Sequence, residues 1–406
     1  MIPILYSSDE KEFTSQGIGR LVDCISCTVR EVINGEYEME FQYPVSGPLF
    51  EHLVNFGGIV AVEHDHNGDI QPFDIYKYTA PLDGIVTFNA RHVSYRLSNV
   101  IVGDQSFPPY RWTGNTPGEV FDKIQKLAYT NNEFSFDDET DYRAEGGAPF
   151  ACLGRASVRD AFLNGYRADD EVNGTQALYI VYPGEFVWDK FTVRYYRQRG
   201  KIKGFQIRYG KNLTEVQRER DYGSVISSVF PVWYGTENDQ PIAVYGPQAY
   251  SPNSEIIYVP WENAANGAQM ATPDGDNYYF GAADVKASVV DFSDQFAEKP
   301  TPQQLYEAAL EWMRKNSTWR AYDNITVRFV DLYNASEYSE IQELEKCSLG
   351  DFVNIYYTTL GIVSENVEIV SATYDVLSDS FIEMELGEIK TSFAQVIIDT
   401  IKGVKA

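Results

Sequence analysis

The sequence is poor in the residues on which most enzyme chemistry depends. Its 406 residues include only four cysteines and four histidines. Cys24 and Cys27 form a C-x-x-C pair, but a zinc site needs two more ligands and there is no second pair. In the strand predicted for residues 24–32, positions three apart point to opposite faces. We therefore interpret both thiols as small buried hydrophobic groups and predict no disulfide framework.

The histidines form no catalytic motif. Glu63-His64-Asp65-His66 resembles a metal cluster, because His64 and His66 share a face if the segment is a strand. Asn67-Gly68 follows directly, which instead predicts the exposed lip of a hairpin, where polar residues accumulate. His92 lies at the start of a predicted helical stretch. We predict a capping or packing role for it, with a catalytic base as the alternative.

Longer motifs of enzyme families are also missing. There is no P-loop, no G-x-S-x-G elbow and no H-E-x-x-H. The acidic run at residues 137–139 is typical of a solvated loop. A glycosidase needs two carboxylates in one cleft, and the sequence of so acidic a chain leaves that possibility open. We nominate no catalytic, cofactor-binding or metal-binding residue and no cofactor, and we predict that the chain is not an enzyme.

No apolar run approaches membrane length, and the N-terminus turns polar by Ser7. We expect neither a signal peptide nor a membrane anchor, and synthesis in a cytoplasm. Acidic residues outnumber basic ones by 59 to 33, which gives a formal net charge of −26. A field of this sign repels phosphate, so we expect no specific nucleic-acid binding and no docking on anionic membranes.

Aromatic residues are abundant, with 29 tyrosines and 23 phenylalanines, and they favour half-buried sheets. Tyr37, Met39, Phe41 and Tyr43 alternate with polar residues and follow Asn34-Gly35, a favoured hairpin turn. Asn67-Gly68 predicts a second hairpin between residues 59–64 and 70–78. Short strands at this spacing predict a barrel or a sandwich. The length of the chain predicts two to four domains.

Three helices are predicted from capping signals at Thr116, Ser157 and Thr301. Strands are predicted through residues 177–196, interrupted by a turn at Pro183-Gly184, and a break follows at Arg199-Gly200. The apolar spacing of residues 393–401 is helical.

Seven stretches of the chain form a recognisable series. The most specific one is Tyr209-Gly210-Lys211-Asn212-Leu213. The others are residues 34–44, 88–97, 327–332, 349–353, 374–377 and 386–387. Taken in order, these stretches resemble the N-terminal part of tail-associated proteins of siphophages from Gram-positive hosts, which form the prophage endopeptidase tail, or phage minor structural protein, family.

The resemblance implies an α+β, β-rich multidomain fold similar to trimeric baseplate hubs, with two similar β-barrels alternating with smaller α/β domains. The expected division is a first barrel at residues 1–105 and a small α/β domain at 106–200. A second barrel at 201–240 and 323–390 is interrupted by an inserted α/β domain at 241–322. Residues 391–406 are then a C-terminal helix or linker.

The resemblance also implies a function. Three chains would form a ring at the phage tail tip that continues the tail tube and closes or opens it for tape measure and DNA. The implied partners are distal tail protein, tape measure protein and receptor-binding or spike proteins, within a virion assembled in the host cytoplasm. The charge is then interpreted either as solubility or as an acidic lumen along which DNA slides.

Two other functions stay open. One is a tail endopeptidase or glycosidase whose catalytic domain is absent from this chain, which ends at Ala406 where the hub would finish. The other is a carbohydrate-binding adhesin, as the tyrosine and tryptophan content permits.

Overall fold

The chain forms two compact units, observed in a computed structural model. The first comprises residues 1–217 and 325–387, and the second is formed from residues 218–324. The predicted β-rich character is confirmed. The structure describes residues 1–55, 58–103, 111–130, 132–142, 150–153, 155–165, 177–221, 226, 228–237, 240–250, 268–271, 277–280, 287–296, 298–316, 322–335, 345–360 and 362–387. The predicted helix at residues 393–401 lies outside the described residues.

The strands are numbered in chain order. They are β1 (Ile4–Tyr6), β2 (Gly19–Arg20), β3 (Ser26–Val32), β4 (Tyr37–Pro44), β5 (Ile59–Glu63), β6 (Ile70–Thr79), β7 (Ile85–His92), β8 (Ile101–Gly103), β9 (Arg111–Gly114), β10 (Ser135–Asp138), β11 (Phe150–Leu153), β12 (Arg155–Ser157), β13 (Glu185–Asp189), β14 (Thr192–Tyr196), β15 (Ile202–Arg208), β16 (Leu213–Asp221), β17 (Ser228–Glu237), β18 (Gln240–Tyr245), β19 (Ala249–Tyr250), β20 (Ala268–Ala271), β21 (Asn277–Phe280), β22 (Ala287–Asp291), β23 (Tyr322–Phe329), β24 (Phe352–Tyr357), β25 (Ile362–Asp375) and β26 (Ser380–Gly387). The α-helices are α1 (Phe50–Asn55), α2 (Pro117–Leu127), α3 (Leu178–Val181) and α4 (Pro302–Asn316). Short 3₁₀ helices span Val93–Asn99, Ser293–Gln295 and Thr358–Leu360, and a π-helical turn spans Asp160–Asn164.

One large sheet dominates the first unit. Among the described residues it has 13 strands, in the order β16-β23-β26-β25-β3-β4-β7-β6-β5-β1-β2, with β24 and β15 branching from β25. The 14-residue strand β25 joins the two parts, because its first half pairs with β24 and its second half pairs with β3 and β26. Strands from both predicted barrels therefore share one continuous sheet. The presence of two separate barrels, and the division into five segments, stay predictions.

Local turn chemistry explains the first hairpin. Asn34 adopts a φ of +53°, which asparagine tolerates, and β3 and β4 pair antiparallel from Glu31↔Tyr37 to Ser26↔Gln42. Along β4, Tyr37, Met39, Phe41 and Tyr43 are buried, while the side chains between them are exposed or half-buried. The predicted alternation and turn are confirmed.

The predicted second hairpin is also confirmed, with β5 pairing to β6 from Glu63↔Ile70. Its loop, residues 64–69, is longer than the two-residue turn predicted from Asn67-Gly68.

The segment between the two parts of the large sheet is a small α/β layer. Helix α2 begins at the predicted capping signal, where Thr116 Oγ1 accepts the amide of Glu119. The predicted helix after Ser157 is a short helical turn, with Ser157 Oγ accepting the amide of Asp160. Both pack on the sheet β10-β14-β13 through buried aromatic rings. These are Phe121, Phe162, Phe186, Trp188 and Tyr195.

The strand predicted directly after Ala177 is wrong, because residues 178–181 form helix α3. The amides of Val181 and Tyr182 bond to the carbonyls of Ala177 and Leu178, which closes one α-helical turn. Periodicity alone cannot decide whether so short an apolar run forms a helix or a strand. Buried packing of Leu178 decides the outcome.

Among the described residues, the second unit contains a four-stranded sheet, the separate two-stranded sheet β20–β21 and helix α4. Strand β17 pairs with β18 and β19 antiparallel and with β22 parallel. Helix α4 begins at a complete capping box, in which Thr301 and Gln304 exchange hydrogen bonds as predicted. Leu305, Ala309 and Met313 of α4 are buried against Trp233 and its neighbours.

Candidate functional site

A buried charged cluster lies on the inner side of the large sheet. In β3, Cys27 and Val29 point inward, and Glu31 occupies the next inward position at 8% exposure. A carboxylate at an inward strand position is costly unless it is paired. Glu31 is paired with Arg199, whose guanidinium nitrogen lies 2.7 Å from its Oε1. The pair spans 168 residues of the chain.

The electrostatics of this pair follow from its surroundings. Burial raises the pKa of the Glu31 carboxyl, but the charge of Arg199 and a hydrogen bond from His64 outweigh it and lower that pKa to about 2. Burial lowers the pKa of Arg199, and the charge of Glu31 reverses that effect, so its pKa is raised. Both groups therefore stay charged at neutral pH.

Aromatic and histidine rings enclose the pair. His64 Nε2 lies 2.8 Å from the Tyr37 hydroxyl and 3.5 Å from Glu31 Oε2. Within the part of the chain that the structure describes, Nδ1 of His64 has no hydrogen-bond partner. The Tyr37 ring stacks on His92 at a centroid distance of 4.3 Å. We call Glu31, Tyr37, His64, His92 and Arg199 the Glu31 cluster.

His92 has the capping role that was predicted. Its Nδ1 accepts the amide of Ser94 at the start of the 3₁₀ helix, and Nε2 contacts Gln71 Oε1 at 3.3 Å. Burial lowers the pKa of His92 to about 3, so the ring is neutral at physiological pH. A neutral ring suits its two fixed hydrogen bonds.

The predicted exposed lip around His64 and His66 is wrong. Neither histidine lies in β5, and the two side chains bond different partners. The His66 side chain is 2% exposed, with Nε2 2.7 Å from Asp331 Oδ2 and its ring stacked on Tyr333 at 4.0 Å. Tyr374 and Phe381 contact the same ring edge-on. His66 therefore fastens the β5–β6 loop to the C-terminal strands and does not form a metal pair with His64.

The strand predicted from Cys24 begins only at Ser26, which corrects the predicted geometry of the cysteines. Cys24 is half-buried and Cys27 is buried, and the two thiols contact each other instead of pointing to opposite faces. The hydrogen bond between them lowers the pKa of Cys24 and raises that of Cys27. Within the described residues, no group of three or more histidine, cysteine or acidic side chains is arranged to hold a metal.

A cavity of about 390 Å³ opens beside the Glu31 cluster. Glu31 and His64 line its inner part, together with residues of the β5–β6 loop, β25 and β26. Four basic side chains also line it: Arg199, Lys201, Lys203 and Lys346. We call it the lysine-rimmed cavity. A cluster of four basic side chains is unexpected in a chain with a net charge of −26.

A close backbone contact builds one wall of this cavity. A Cβ atom at Gly200 would lie 1.8 Å from the carbonyl oxygen of Gly350, so only glycine fits. Gly350 has a φ of +88°, and the adjacent Asp351 accepts the amides of Lys201 and Ser348 at 2.9 and 3.0 Å. The predicted break at Arg199-Gly200 and the family-like stretch at residues 349–353 therefore meet in space.

The most specific family-like stretch forms a corner of the large sheet. Gly210 has a φ of +83°, and buried Asn212 accepts the amide of Arg208 and donates to the Gln206 carbonyl. Lys211 Nζ lies 2.7 Å from the buried carboxylate of Glu345. Strands β15 and β16, which this corner connects, are the two ends of the series β15-β24-β25-β26-β23-β16.

A pair of glutamates, Glu185 and Glu368, lies near Arg199. The Arg199 amide donates to Glu185 Oε2 at 2.8 Å, and Glu185 hydrogen-bonds Glu368 of β25. Burial, together with the charge and hydrogen bond of Glu185, raises the pKa of Glu368 to about 8. One proton is therefore held between these carboxyl groups at neutral pH.

Sequence reasoning missed the Glu31 cluster, the Glu185–Glu368 pair and His66. One signal was available, because the alternation of β3 places Glu31 in register with Cys27 and Val29.

Among the described residues, no helix is long and apolar enough to span a bilayer.

Part of the chain matches a known protein family. Residues 201–397 match the prophage endopeptidase tail family, which confirms the resemblance found in the sequence. No curated protein matches the chain. Three solved structures have the same fold, and all are named as tail proteins.

The first is prophage tail protein gp18 from Listeria monocytogenes, 15% identical, with a TM-score of 0.54 and 100% of both chains covered. The second is the 43 kDa tail protein of prophage MuSo2 from Shewanella oneidensis, 11% identical, with a TM-score of 0.55 and coverage of 95% and 97%. The third is a tail protein from Neisseria meningitidis, 10% identical, with a TM-score of 0.50 and coverage of 96% and 97%.

Proposed function

We propose that the chain is a structural component of a phage tail, placed in the virion as the hub of the tail tip and without catalytic activity of its own. The observation that carries this proposal is the fold, which extends over the whole length of a prophage tail protein. The family match over residues 201–397 supports it independently.

We further propose that three copies form a ring that continues the tail tube and passes tape measure and DNA. The two parts of the large sheet, joined at β25, would supply two similar wedges from each copy. The end strands β15 and β16 are consecutive in the chain, which favours a sheet that curls back on itself. Distal tail and spike proteins are the proposed neighbours.

Negative-stain electron microscopy and native mass spectrometry of the chain, alone and mixed with the neighbouring tail proteins, test the ring. A threefold ring with an open centre is the expected result. A chain that stays monomeric after its tail partners have bound would overturn the ring.

The endopeptidase alternative is tested separately by zymography on cell-wall material. We expect no clearing band, because the described residues contain no catalytic constellation that we recognise. A clearing band that survives further purification would favour the hydrolase.

A further inference from the structure

We propose that the lysine-rimmed cavity is a binding site for a small multivalent oxyanion, of the phosphate or polycarboxylate class. Its volume of about 390 Å³ lies within the range of small-ligand pockets. The proposal rests on the balance between basic and acidic groups around the cavity, taken atom by atom.

The acidic groups of the cavity are already satisfied. Both oxygens of Glu31 are in contact with Arg199 and His64. The two oxygens of Asp351 accept the amides of Lys201 and Ser348. Asp65 accepts the backbone amide of Asn67 at 2.9 Å and its side-chain amide at 2.6 Å. Arg199 therefore neutralises Glu31, whereas the amide hydrogen bonds fix Asp351 and Asp65 in place without cancelling their negative charges.

The basic groups are not balanced in the same way. Arg199 is committed to Glu31, and Lys203 lies 3.8 Å from Asp351. Among the described residues, the ammonium groups of Lys201 and Lys346 make no ion pair, although both line the cavity. Four basic and three acidic side chains line the cavity, so its lining carries a net charge of about +1 in a strongly acidic protein.

The inner part adds a polar atom that lacks a partner. His64 lines the cavity with a side chain that is 11% exposed, and its buried Nδ1 has no hydrogen-bond partner among the described residues. Buried polar atoms are nearly always hydrogen-bonded, so this nitrogen is suited to a ligand atom. Because Nε2 of His64 donates to Glu31, Nδ1 carries a lone pair and accepts a hydrogen bond. A protonated oxyanion such as hydrogen phosphate can donate its O–H to Nδ1 while its other oxygens accept from both lysines.

Isothermal titration calorimetry of the full chain with sodium phosphate, and separately with sodium citrate, tests the proposal. Sodium chloride at matched ionic strength is the reference. We expect saturable binding of at least one oxyanion, and the better ligand distinguishes phosphate from carboxylate recognition. Absence of saturable heat with both oxyanions would overturn the proposal.

A matched pair of variants locates the site. Lys201→Gln with Lys346→Gln should weaken oxyanion binding at least about tenfold, because both charge-assisted hydrogen bonds from the lysines to the oxyanion are lost. Lys77→Gln with Lys126→Gln removes the same charge from exposed positions elsewhere and should leave the affinity unchanged. Equal affinities of the two double variants would place binding elsewhere and overturn the site. Unchanged circular dichroism spectra check that both variants are folded.

Discussion

The Glu31–Arg199 pair offers the sharpest prediction about the stability of the chain. The pKa of Glu31 falls from its ordinary value of 4.5 to about 2 in the folded protein. Each pKa unit corresponds to about 1.4 kcal/mol, so the folded state gains about 3 kcal/mol from the ionised form. Because the folded pKa is depressed, this stability is present above pH 4.5 and is lost as the pH falls towards 2.

Removing Arg199 should lower the free energy of unfolding by more than the contribution from the pKa shift of Glu31. The substitution Arg199→Met leaves the carboxylate of Glu31 buried without a counter-charge, which typically costs about 3–5 kcal/mol. The double variant Glu31→Gln with Arg199→Met removes both charges and should be more stable than Arg199→Met alone. Urea unfolding at pH 7, followed by circular dichroism, measures the free energy of unfolding.

A control lies two residues away. Arg197 pairs with Asp141, but the two side chains are 54% and 82% exposed. Arg197→Met should therefore cost less than about 1 kcal/mol. A destabilisation by Arg199→Met no larger than that by Arg197→Met would refute a stabilising buried pair. The same holds if the double variant is destabilised by as much as Glu31→Gln and Arg199→Met added together.

Three further predictions concern other parts of the first unit. Glu368, with its pKa raised to about 8, binds a proton in the folded state that the unfolded state has released above pH 4.5, so stability should fall between pH 4.5 and 8. Glu368→Gln should flatten that fall in melting curves recorded across this range, whereas an unchanged slope would contradict it. Asn212→Ala should destabilise the chain by about 2 kcal/mol in urea unfolding, because the side chain of buried Asn212 bonds both the amide of Arg208 and the carbonyl of Gln206. Exposed Asn55→Ala should cost under about 0.5 kcal/mol. His66→Ala should cost about 2–4 kcal/mol in the same assay, because it leaves a void beside Tyr333 and removes a partner of Asp331. A loss of stability as small as that of Asn55→Ala would argue that His66 does not fasten the β5–β6 loop to the C-terminal strands.

Features encoded in neighbouring residues were predictable from the sequence. The hairpin at Asn34-Gly35 and the helix starts at Thr116 and Thr301 depend on contacts within four residues, and all three are confirmed. The helix at residues 178–181 was missed because four apolar residues satisfy either period.

The site depends on contacts that the sequence does not record. Glu31 and Arg199 are 168 residues apart, and His66 and Asp331 are 265 apart. Only the folded sheet brings these pairs together, so local patterns could mark Glu31 as an inward charge but could not supply its partner. The same holds for the contact between Gly200 and Gly350, which unites two stretches that separately show only turn chemistry.

The proposed place of the chain in the virion can be measured directly. Immunogold labelling of intact phage particles, with antibodies raised against the purified chain, reports where the protein lies. We expect gold at the distal end of the tail, in agreement with a hub that closes the tube. Label confined to the head, or particles that lack the chain altogether, would contradict a structural role at the tail tip.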